Sequence, residues 1–560
     1  MPQRLLTRIL AGVLLAAPAA MLLAQPFDQL ATPEFLVNTF EEGDQRIPIV
    51  ASDDSGNSVI IWQSRNQDLP GWSIYAQRLD EFGDRIGEEF RINVFNDGSQ
   101  DGHHLAMDDD GSFVVVWNGP DRTSASDVIS LRHFGSNGMP LAGDRLVSET
   151  LSGTQILPRL GLTSDGRTLV AWEAQAVAGG TFNIVARTLD SDGQPLSPIV
   201  PVNQLQDGAQ RRVDIAVGDD GSRVVAWQDA VSDGNDWGIF VRCLDASGDG
   251  ADEIQVNQTT AGLQYRPRLA RTDDGRFAVV WQDTLGQSSF VYRRVMLRRF
   301  DADCQPAGPE TQVNQFDEGI QDLPEIGLDG DGHYVIVWQS FPEDFEQQGI
   351  YGRRMTLAGE FLGDEFAIHQ EIEAYQDFPT VSGLPDGGFI VTWESAGQDE
   401  SGFGIYARRF LGPAPARLEL LGGDNQQTEV GQPFAEPIVL ELADQWGSVL
   451  VGETLLLATS DNDAGVLFSN GSNQIELQTD SSGQVSVPIS ANALAGEYML
   501  TVTALATGLV RLVPLENLSG SGASEPIPVP AGSAWAWFML MGLVVLFTWR
   551  VGLVSWRSWY

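Results

Sequence analysis

Basic residues and cysteines are scarce in this sequence. Lysine and arginine together number 33 against 76 aspartates and glutamates, so the 560-residue chain has a formal net charge of −43. This balance argues against nucleic acid as a partner, because its recognition needs basic patches. The two cysteines are Cys243 and Cys304. In an exported protein they can form a disulfide or remain separate thiols, and the sequence leaves both states open.

Recognisable catalytic signatures are also missing. The sequence contains no nucleophile elbow, zinc motif or phosphate-binding loop, and its five histidines do not cluster by spacing apart from one adjacent pair. Two carboxylates suffice for glycoside hydrolysis, but 76 acidic residues do not single out a pair. We therefore expect a binding or adhesion protein. A hydrolase or lyase acting on polysaccharide, or a structural component of an envelope or matrix, is the alternative.

A tandem repeat dominates the sequence. Its marker is a tryptophan at the end of an apolar run, as in "FAVVWQD" and "YVIVWQS", and the interval between successive tryptophans is nearly constant. A glutamine precedes each of them at a fixed distance, as Gln155 precedes Trp172. Such a strict period, here about 55 residues, is typical of a tandem array. The seven tryptophans are Trp62, Trp117, Trp172, Trp227, Trp281, Trp338 and Trp393.

Each repeat has the pattern of four short strands and no helix. Residues 312–366 contain two extended runs, a hairpin turn at Asp331, a strongly apolar strand and an alternating strand. Seven such units predict a seven-bladed β-propeller over residues 34–412, although neither a kelch nor a WD40 signature is present. Residues 34–38 match the outermost strand of a blade, which the last repeat lacks. We therefore expect them to complete the seventh blade.

Positions that recur in every repeat are interpreted as structural. The tryptophans are expected to pack between blades, and the glutamines to stabilise the loop before the innermost strand. Arginines recur in the strand that follows the tryptophan strand, and they are expected to pair with the abundant carboxylates. Binding is expected where the repeats differ, in the loop after each tryptophan. The candidate ligand-binding residues there are Trp72, Asp236, Trp237, Phe345, Asp399 and Phe403.

One acidic loop differs from the repeated turns. In "DASGDGADE", residues 245–253, Asp245, Ser247 and Asp249 are spaced like the first ligands of a calcium loop. The bidentate glutamate that closes such loops is missing, because Val256 stands at that place. Apart from this candidate calcium site, the sequence indicates no cofactor.

Residues 415–510 break the repeat. They contain an Asp-x-x-Gly turn at Asp444, the turn "TDSSG" at 479–483 and the strand "GEYMLTV" at 496–502. This pattern resembles the bacterial Ig-like domains of the Big-1 type in intimins and invasins. The resemblance implies a β-sandwich that spaces a head from a membrane. A linker is expected at 511–530.

Both ends of the chain indicate export. Residues 1–24 have two arginines, an apolar run and small residues, as in a secretory signal peptide. Residues 531–549 carry no charge and are long enough for a transmembrane helix. The stretch "IPVPAGSAWAWF" with the following apolar run and arginine resembles C-terminal sorting signals of the PEP-CTERM and IPTL-CTERM type. We expect an all-β cell-surface protein, anchored in the membrane or released by processing, with an extracellular glycan or protein ligand.

Overall fold

The computed structural model describes residues 31–520 apart from gaps at 69, 96–97, 121–126, 149–152, 178, 235, 285–291, 317–318, 342–348, 373, 400–401, 413, 445–446 and 461. Every regular element in these residues is a β-strand, so the all-β prediction is confirmed. None of the described residues belongs to a helix that could span a membrane. The predicted signal peptide at 1–24 and membrane segment at 531–549 lie outside the described residues.

Seven four-stranded units follow one another along residues 35–410, and we call them blades one to seven. Blade one contains β2 (Gln45–Ser52), β3 (Ser58–Arg65), β4 (Trp72–Leu79) and β5 (Arg85–Arg91). Blade two contains β6 (Asp101–Met107), β7 (Phe113–Pro120), β8 (Asp127–Phe134) and β9 (Arg145–Leu146). Blade three contains β10 (Gln155–Leu162), β11 (Thr168–Gln175), β12 (Phe182–Leu189) and β13 (Val200–Pro201).

The remaining blades repeat this order. Blade four contains β14 (Gln210–Val217), β15 (Arg223–Asp229), β16 (Gly238–Leu244) and β17 (Ile254–Gln255). Blade five contains β18 (Gln264–Arg271), β19 (Phe277–Thr284), β20 (Arg293–Phe300) and β21 (Thr311–Gln312). Blade six contains β22 (Ile320–Leu328), β23 (Tyr334–Phe341), β24 (Gly349–Met355) and β25 (Phe361–Ala367). Blade seven contains β26 (Tyr375–Gly383), β27 (Phe389–Ala396), β28 (Phe403–Phe410) and, from the start of the chain, β1 (Phe35–Leu36).

The blades form a closed ring. The first strand of each blade contacts the first strand of the next blade, and β26 of blade seven contacts β2 of blade one. The first strands therefore surround a central channel, as in a β-propeller. Closure uses both ends of the repeat array, since β1 pairs antiparallel with β28, Phe35 opposite Ala407. The expected completion of the seventh blade by residues 34–38 is confirmed.

The repeated tryptophans are core residues, as predicted. All seven are at most 1% exposed. Their constant spacing from the repeated glutamines places the glutamine of the same blade beside the indole. In blades two, three and six the indole N–H donates to the glutamine side-chain oxygen, at 3.1, 2.7 and 2.9 Å. In blades one, four and five that oxygen accepts instead from an asparagine of the preceding outer strand, Asn38, Asn203 or Asn257.

The repeated arginines join neighbouring blades through backbone oxygens, a contact that the sequence analysis did not predict, and Arg132 also has the predicted carboxylate partner, Asp144, at 3.9 Å. Arg187 Nη1 donates at 2.7 Å to the carbonyl of Val147, which belongs to the preceding blade. The guanidinium reaches a backbone oxygen at the end of the preceding outer strand, which the sequence pattern does not reveal. The same contact is made by Arg132, Arg242, Arg298, Arg353 and Arg408, whereas Arg78 donates to the Asn137 carbonyl.

A disulfide joins blades four and five. Cys243 lies on β16 and Cys304 in the turn after β20, and their sulfurs are bonded. Of the two states that the sequence leaves open, the structure contains the disulfide. Blades five and six are joined in another way, by a parallel bridge between Arg293 on β20 and Ile320 on β22.

The residues after the ring form a β-sandwich. One sheet contains β29 (Arg417–Gly422), β31 (Ile438–Ala443) and β35 (Gln484–Val487). The other contains β30 (Gln426–Glu429), β32 (Thr454–Ala458), β34 (Gln474–Gln478), β37 (Gly496–Ala504) and β38 (Leu509–Leu518). A small ladder joins β33 (Val466–Leu467) to β36 (Ser490–Ala491). The core of the sandwich includes Leu440, Leu457 and Val502, all fully buried.

The sandwich ends later than predicted. Its last strand, β38, continues to Leu518, so the expected linker does not begin at residue 511. Val513 and Leu515 alternate with more exposed neighbours and enter the core, and this short alternation marks the strand. The resemblance to Big-1 domains remains a prediction.

Candidate functional site

The central channel contains a cavity of about 420 Å³. It is lined by residues from the first strand of every blade, β2, β6, β10, β14, β18, β22 and β26. Residues that face it from different blades are chemically different, although the blades repeat. The channel is therefore the part of the ring where the repeat symmetry is most clearly broken.

A β-bulge shapes each innermost strand near one mouth of the channel. The bulge residue has a positive φ of 50° to 57° in all seven blades, and six of the seven are not glycine. A bulge of this kind re-aims a side chain, here towards the cavity. We call these positions the bulge ring, which consists of Ile47, Gly102, Leu157, Arg212, Arg266, Leu323 and Phe378.

Side chains of the preceding blade hold several of the bulges in place. The amide of Ile47 donates to Glu394 Oε2 at 2.7 Å, and the amide of Arg266 donates to Gln228 Oε1 at 3.0 Å. Asn118 accepts in the same way from the amide of Leu157. In each of these cases the acceptor is the residue after a repeated tryptophan. A left-handed non-glycine residue costs about 1 kcal/mol or more, and these hydrogen bonds help to offset that cost.

Below the bulge ring, two residues further along each strand, charges alternate around the channel. Arg159 Nε lies 3.7 Å from Asp214 Oδ1, and Arg268 Nε lies 2.6 Å from Glu325 Oε1. Burial raises the pKa of both carboxyl groups, while the neighbouring guanidinium groups oppose this change. Two arginines thus face two carboxyl groups. Burial also lowers the pKa of His104 well below its usual value, so that its ring is neutral.

The loops expected to bind ligand lie beside the loops that precede the innermost strands. The amide of Gln100 donates to the Trp72 carbonyl at 2.9 Å, and the amide of Gln264 donates to the Trp237 carbonyl at 3.0 Å. The two kinds of loop therefore share one face of the ring, as the sequence predicts, and we call it the binding face.

The candidate ligand-binding residues do not form one cluster. Trp72 is half-buried, and Arg65 lies 5.9 Å from its ring centre. Asp236 is exposed and Trp237 half-buried in blade four. Phe345 lies outside the described residues. As ligand-binding residues, all of them remain predictions.

Phe403 and Asp399 belong to blade seven, and Phe403 is part of a polar and aromatic group there. Its ring lies edge-on to Tyr375 with centres 6.3 Å apart, and the ring centre of Phe341 lies 5.2 Å from that of Tyr375. The Arg46 guanidinium lies 4.1 Å above the Phe403 ring. Tyr375 is 38% exposed, so this group is open to solvent.

Asp377 is the acidic residue of this group. Tyr375 Oη donates to Asp377 Oδ2 at 3.3 Å. Burial, reinforced by the nearby Glu394 carboxylate, raises the pKa of Asp377 to about 7. An aspartate with this pKa exchanges its proton at neutral pH, which suits proton transfer. We call Arg46, Tyr375, Asp377 and Phe403 the blade-seven cluster.

Glu394 has a structural role beside this cluster. Its Oε1 accepts from Arg46 Nε at 3.0 Å and from Arg46 Nη2 at 2.5 Å, and its Oε2 accepts from the Ile47 amide. Both oxygens are therefore engaged in orienting Arg46 and the bulge. Blade three has the same arrangement, in which Glu173 pairs with Arg211.

Blade three has the same arginine and phenylalanine as blade seven but lacks the tyrosine and the aspartate. Arg211 lies 4.3 Å above the ring of Phe182, as Arg46 lies above Phe403. The positions of Tyr375 and Asp377, however, are Thr154 and Ile156 in blade three. Asp377 was not among the residues predicted from the sequence, although the residue after the repeated glutamine differs in type from blade to blade. That variation was the available signal.

The candidate calcium loop is a tight turn between β16 and β17. Asp245 Oδ1 accepts from the amides of Ser247 and Asp249 at 2.9 and 3.0 Å. The hydroxyl of Ser247 also donates to Asp245, at 2.6 Å. Equivalent turns occur in other blades, for example at Asp190 and Asp301. As a calcium site this loop remains a prediction.

A different acidic group has the geometry of a metal site. Asp329, Asp331 and His333 each offer a ligand atom, and these atoms lie within 4.8 Å of one another on the hairpin of blade six. The buried guanidinium of Arg354 already donates to Asp329 Oδ2, at 3.0 Å from Nε. A cation is thus already present at the most buried of the three ligands.

No protein-family model matches the chain, and no curated protein sequence matches it. Several solved structures are similar to part of the chain. An ulvan lyase, a polysaccharide lyase, is 10% identical with a TM-score of 0.46, covering 68% of this chain and 96% of its own. An α-L-arabinanase of Penicillium chrysogenum is 13% identical with a TM-score of 0.41, covering 67% and 98%. The NanB sialidase of Streptococcus pneumoniae is 11% identical with a TM-score of 0.39, covering 68% and 71%.

Proposed function

We propose that the ring binds an extracellular polysaccharide on its binding face, at the blade-seven cluster. The observation that carries this proposal is the open group of Phe341, Tyr375 and Phe403 beside the Asp377 carboxyl group. Aromatic rings stack on the apolar faces of sugars, and a carboxyl group orients hydroxyls. The two kinds of side chain occur together here in one blade.

Cleavage of the bound polysaccharide is the second candidate function. It is favoured by the pKa of about 7 at Asp377, which keeps much of this carboxyl group protonated at neutral pH. In hydrolysis, a protonated Asp377 would donate its proton to the glycosidic oxygen of the leaving sugar while a water molecule adds to the anomeric carbon, and the proton that this water loses would pass to solvent and restore the acid. Glu394 is a positioning residue in this scheme, because Arg46 and the Ile47 amide occupy both of its oxygens.

A glycan array probed with the purified protein tests binding, and product analysis on the bound glycans tests cleavage. Phe403→Ala is expected to weaken binding about tenfold or more, whereas Phe182→Ala, its counterpart in blade three, is expected to leave it within about twofold of the wild type. If the protein cleaves, Asp377→Asn binds the glycan but releases no product. Retention of binding by Phe403→Ala contradicts the location of the site.

Export and a membrane-proximal position complete the proposal. The signal-like residues 1–24, the apolar residues 531–549 and the acidic composition support a head displayed outside the cell. The sandwich between the ring and the tail then serves as a spacer. Mass analysis of the protein from its native host tests this part, since a soluble chain that still ends at Tyr560 contradicts it.

A further inference from the structure

Two neighbouring arginines of the bulge ring face the channel without a counter-charge. Arg212 on β14 and Arg266 on β18 occupy equivalent positions and both line the central cavity. Their backbone amides donate to Glu173 and Gln228. Among the described residues, neither guanidinium makes a hydrogen bond or an ion pair. In a chain with a net charge of −43, such a pair is unexpected.

The carboxyl groups closest to these arginines are engaged elsewhere. Glu173 pairs with Arg211 and accepts the Arg212 amide. Asp322 pairs with Arg293. Asp377 is partly protonated at neutral pH, because its pKa is raised to about 7. None of the three therefore fully neutralises Arg212 or Arg266.

The charged side chains below the pair are already engaged with one another. Arg159 and Arg268 face Asp214 and Glu325, and both arginines also donate to backbone carbonyls, of Pro158 and Pro267. Each arginine at this level thus faces a carboxyl group of the same level, and these carboxyl groups are engaged there rather than with Arg212 or Arg266. The charge of Arg212 and Arg266 is thus left uncompensated at the level of the bulge ring.

We propose that Arg212 and Arg266 form an anion-binding site in the channel that takes a carboxylate or sulfate group. The forked guanidinium donors match such oxyanions, and two arginines from adjacent strands can hold one between them. The cavity of about 420 Å³ has room for a sugar residue that carries the group. Acidic polysaccharides carry both substituents.

Burial and the repulsion from neighbouring guanidinium groups agree with this site. The pKa of Arg212 is lowered to about 10, first by burial and then by Arg266. The pKa of Arg266 is also lowered, first by burial, and Arg268 contributes to this lowering. A bound anion removes that repulsion. Binding is therefore expected to stabilise the fold increasingly as the ligand concentration rises.

The substrate class named here, an acidic polysaccharide, rests on the proposed function, but the anion site itself is tested separately. Thermal unfolding of the purified protein is followed in sodium sulfate and in sodium chloride at equal ionic strength, and in glucuronate against glucose. Sulfate and glucuronate are expected to raise Tm. Sulfate also stabilises folded proteins in general, so Arg212→Gln/Arg266→Gln is expected to keep only that smaller rise in sulfate and to lose the rise in glucuronate, with a Tm in chloride at or above that of the wild type.

The matched control is Arg145→Gln, which removes an exposed arginine on β9 and is expected to keep the shifts. Equal shifts in the double variant and the wild type, or no shift in either, overturn the anion site. A second arm compares an acidic with a neutral polysaccharide. If only the acidic polymer binds, and the double variant binds it about tenfold more weakly, the anion is a substituent of the glycan.

Different results contradict the proposed anion site and the proposed polysaccharide site. Binding of neutral glycans at the blade-seven cluster without any effect of sulfate or glucuronate overturns the anion site and leaves the proposed function standing. Shifts by sulfate and glucuronate without binding of any polysaccharide support a site for a free anion and contradict the proposed function.

Discussion

The indole N–H of Trp172 donates a 2.7 Å hydrogen bond to Oε1 of Gln155, and both side chains are fully buried. Blades two and six make the same contact, which gives a reason for the constant separation of glutamine and tryptophan there, whereas in blades one, four and five the glutamine oxygen accepts from an asparagine. Gln155 also donates to the Gly153 carbonyl at 2.8 Å, so it connects the tryptophan to the loop before β10. The repeat thus encodes a contact that fixes the innermost strand.

Removing this glutamine is expected to destabilise the ring. Gln155→Leu leaves the buried indole N–H of Trp172 without its acceptor, which should cost about 1–3 kcal/mol of unfolding free energy. Gln194→Leu, at an exposed position of the same blade, serves as the control and should change it by less than about 0.5 kcal/mol. Urea unfolding measures both, and an equal effect of the two substitutions contradicts the structural role.

Loss of the strand that closes the ring is expected to lower Tm markedly. A chain that begins at Thr39 lacks β1, fully buried Val37 and the Asn38 side chain that accepts from the Ile405 amide at 2.7 Å. The edge of β28 is then exposed. A chain that begins at Ala31 keeps all three and is the control. Equal melting temperatures for the two chains would show that blade seven does not need the strand from the start of the chain.

Reduction of the disulfide is expected to destabilise the protein. Cys243 and Cys304 close a loop with a sequence separation of 61, and such a cross-link typically contributes about 2–4 kcal/mol. Cys243→Ala/Cys304→Ala should match the reduced wild type in urea unfolding. If a reductant lowers the unfolding free energy of the wild type and of the double variant equally, its effect does not come from this disulfide.

The raised pKa of Asp377 predicts a specific pH dependence of stability. Between its usual value of 3.8 and about 7, the folded protein holds a proton that the unfolded chain releases. The contribution of Asp377 to the free energy of unfolding therefore falls as the pH rises from about 4 to about 7. Asp377→Asn cannot ionise, so its stability relative to the wild type should increase from about pH 4 to about pH 7. Urea unfolding measures the difference in unfolding free energy between Asp377→Asn and the wild type. A difference that stays constant from about pH 4 to about pH 7 contradicts the raised pKa.

The sequence predicts the features that repetition makes visible. The period of the tryptophans, the glutamines in step with them and the spare segment at 34–38 predict seven blades and their closure, and the structure has both. The backbone contacts of the repeated arginines were not predicted, because no residue pattern reveals a carbonyl acceptor. The disulfide was left open, because its cysteines lie at different phases of the repeat.

The candidate site is less visible in sequence, because it depends on residues that do not repeat. Asp377, Tyr375 and Arg46 come from both ends of the repeat array and meet only when the ring closes. The pKa of Asp377 depends on burial and on Glu394, and neither follows from composition. Phe403, in contrast, was predicted from the variation of its loop alone, and its role in ligand binding remains a prediction.

The most direct test of glycan binding at blade seven is the Kd of a glycan selected on the array, measured by calorimetry for three proteins. Phe403 and Phe182 each lie beneath an arginine, at 4.1 and 4.3 Å, but Phe403 also lies against Tyr375, whose hydroxyl donates to Asp377. We predict that Phe403→Ala weakens binding about tenfold or more, whereas Phe182→Ala stays within about twofold of the wild type. Equal effects of the two substitutions would contradict a binding site at blade seven.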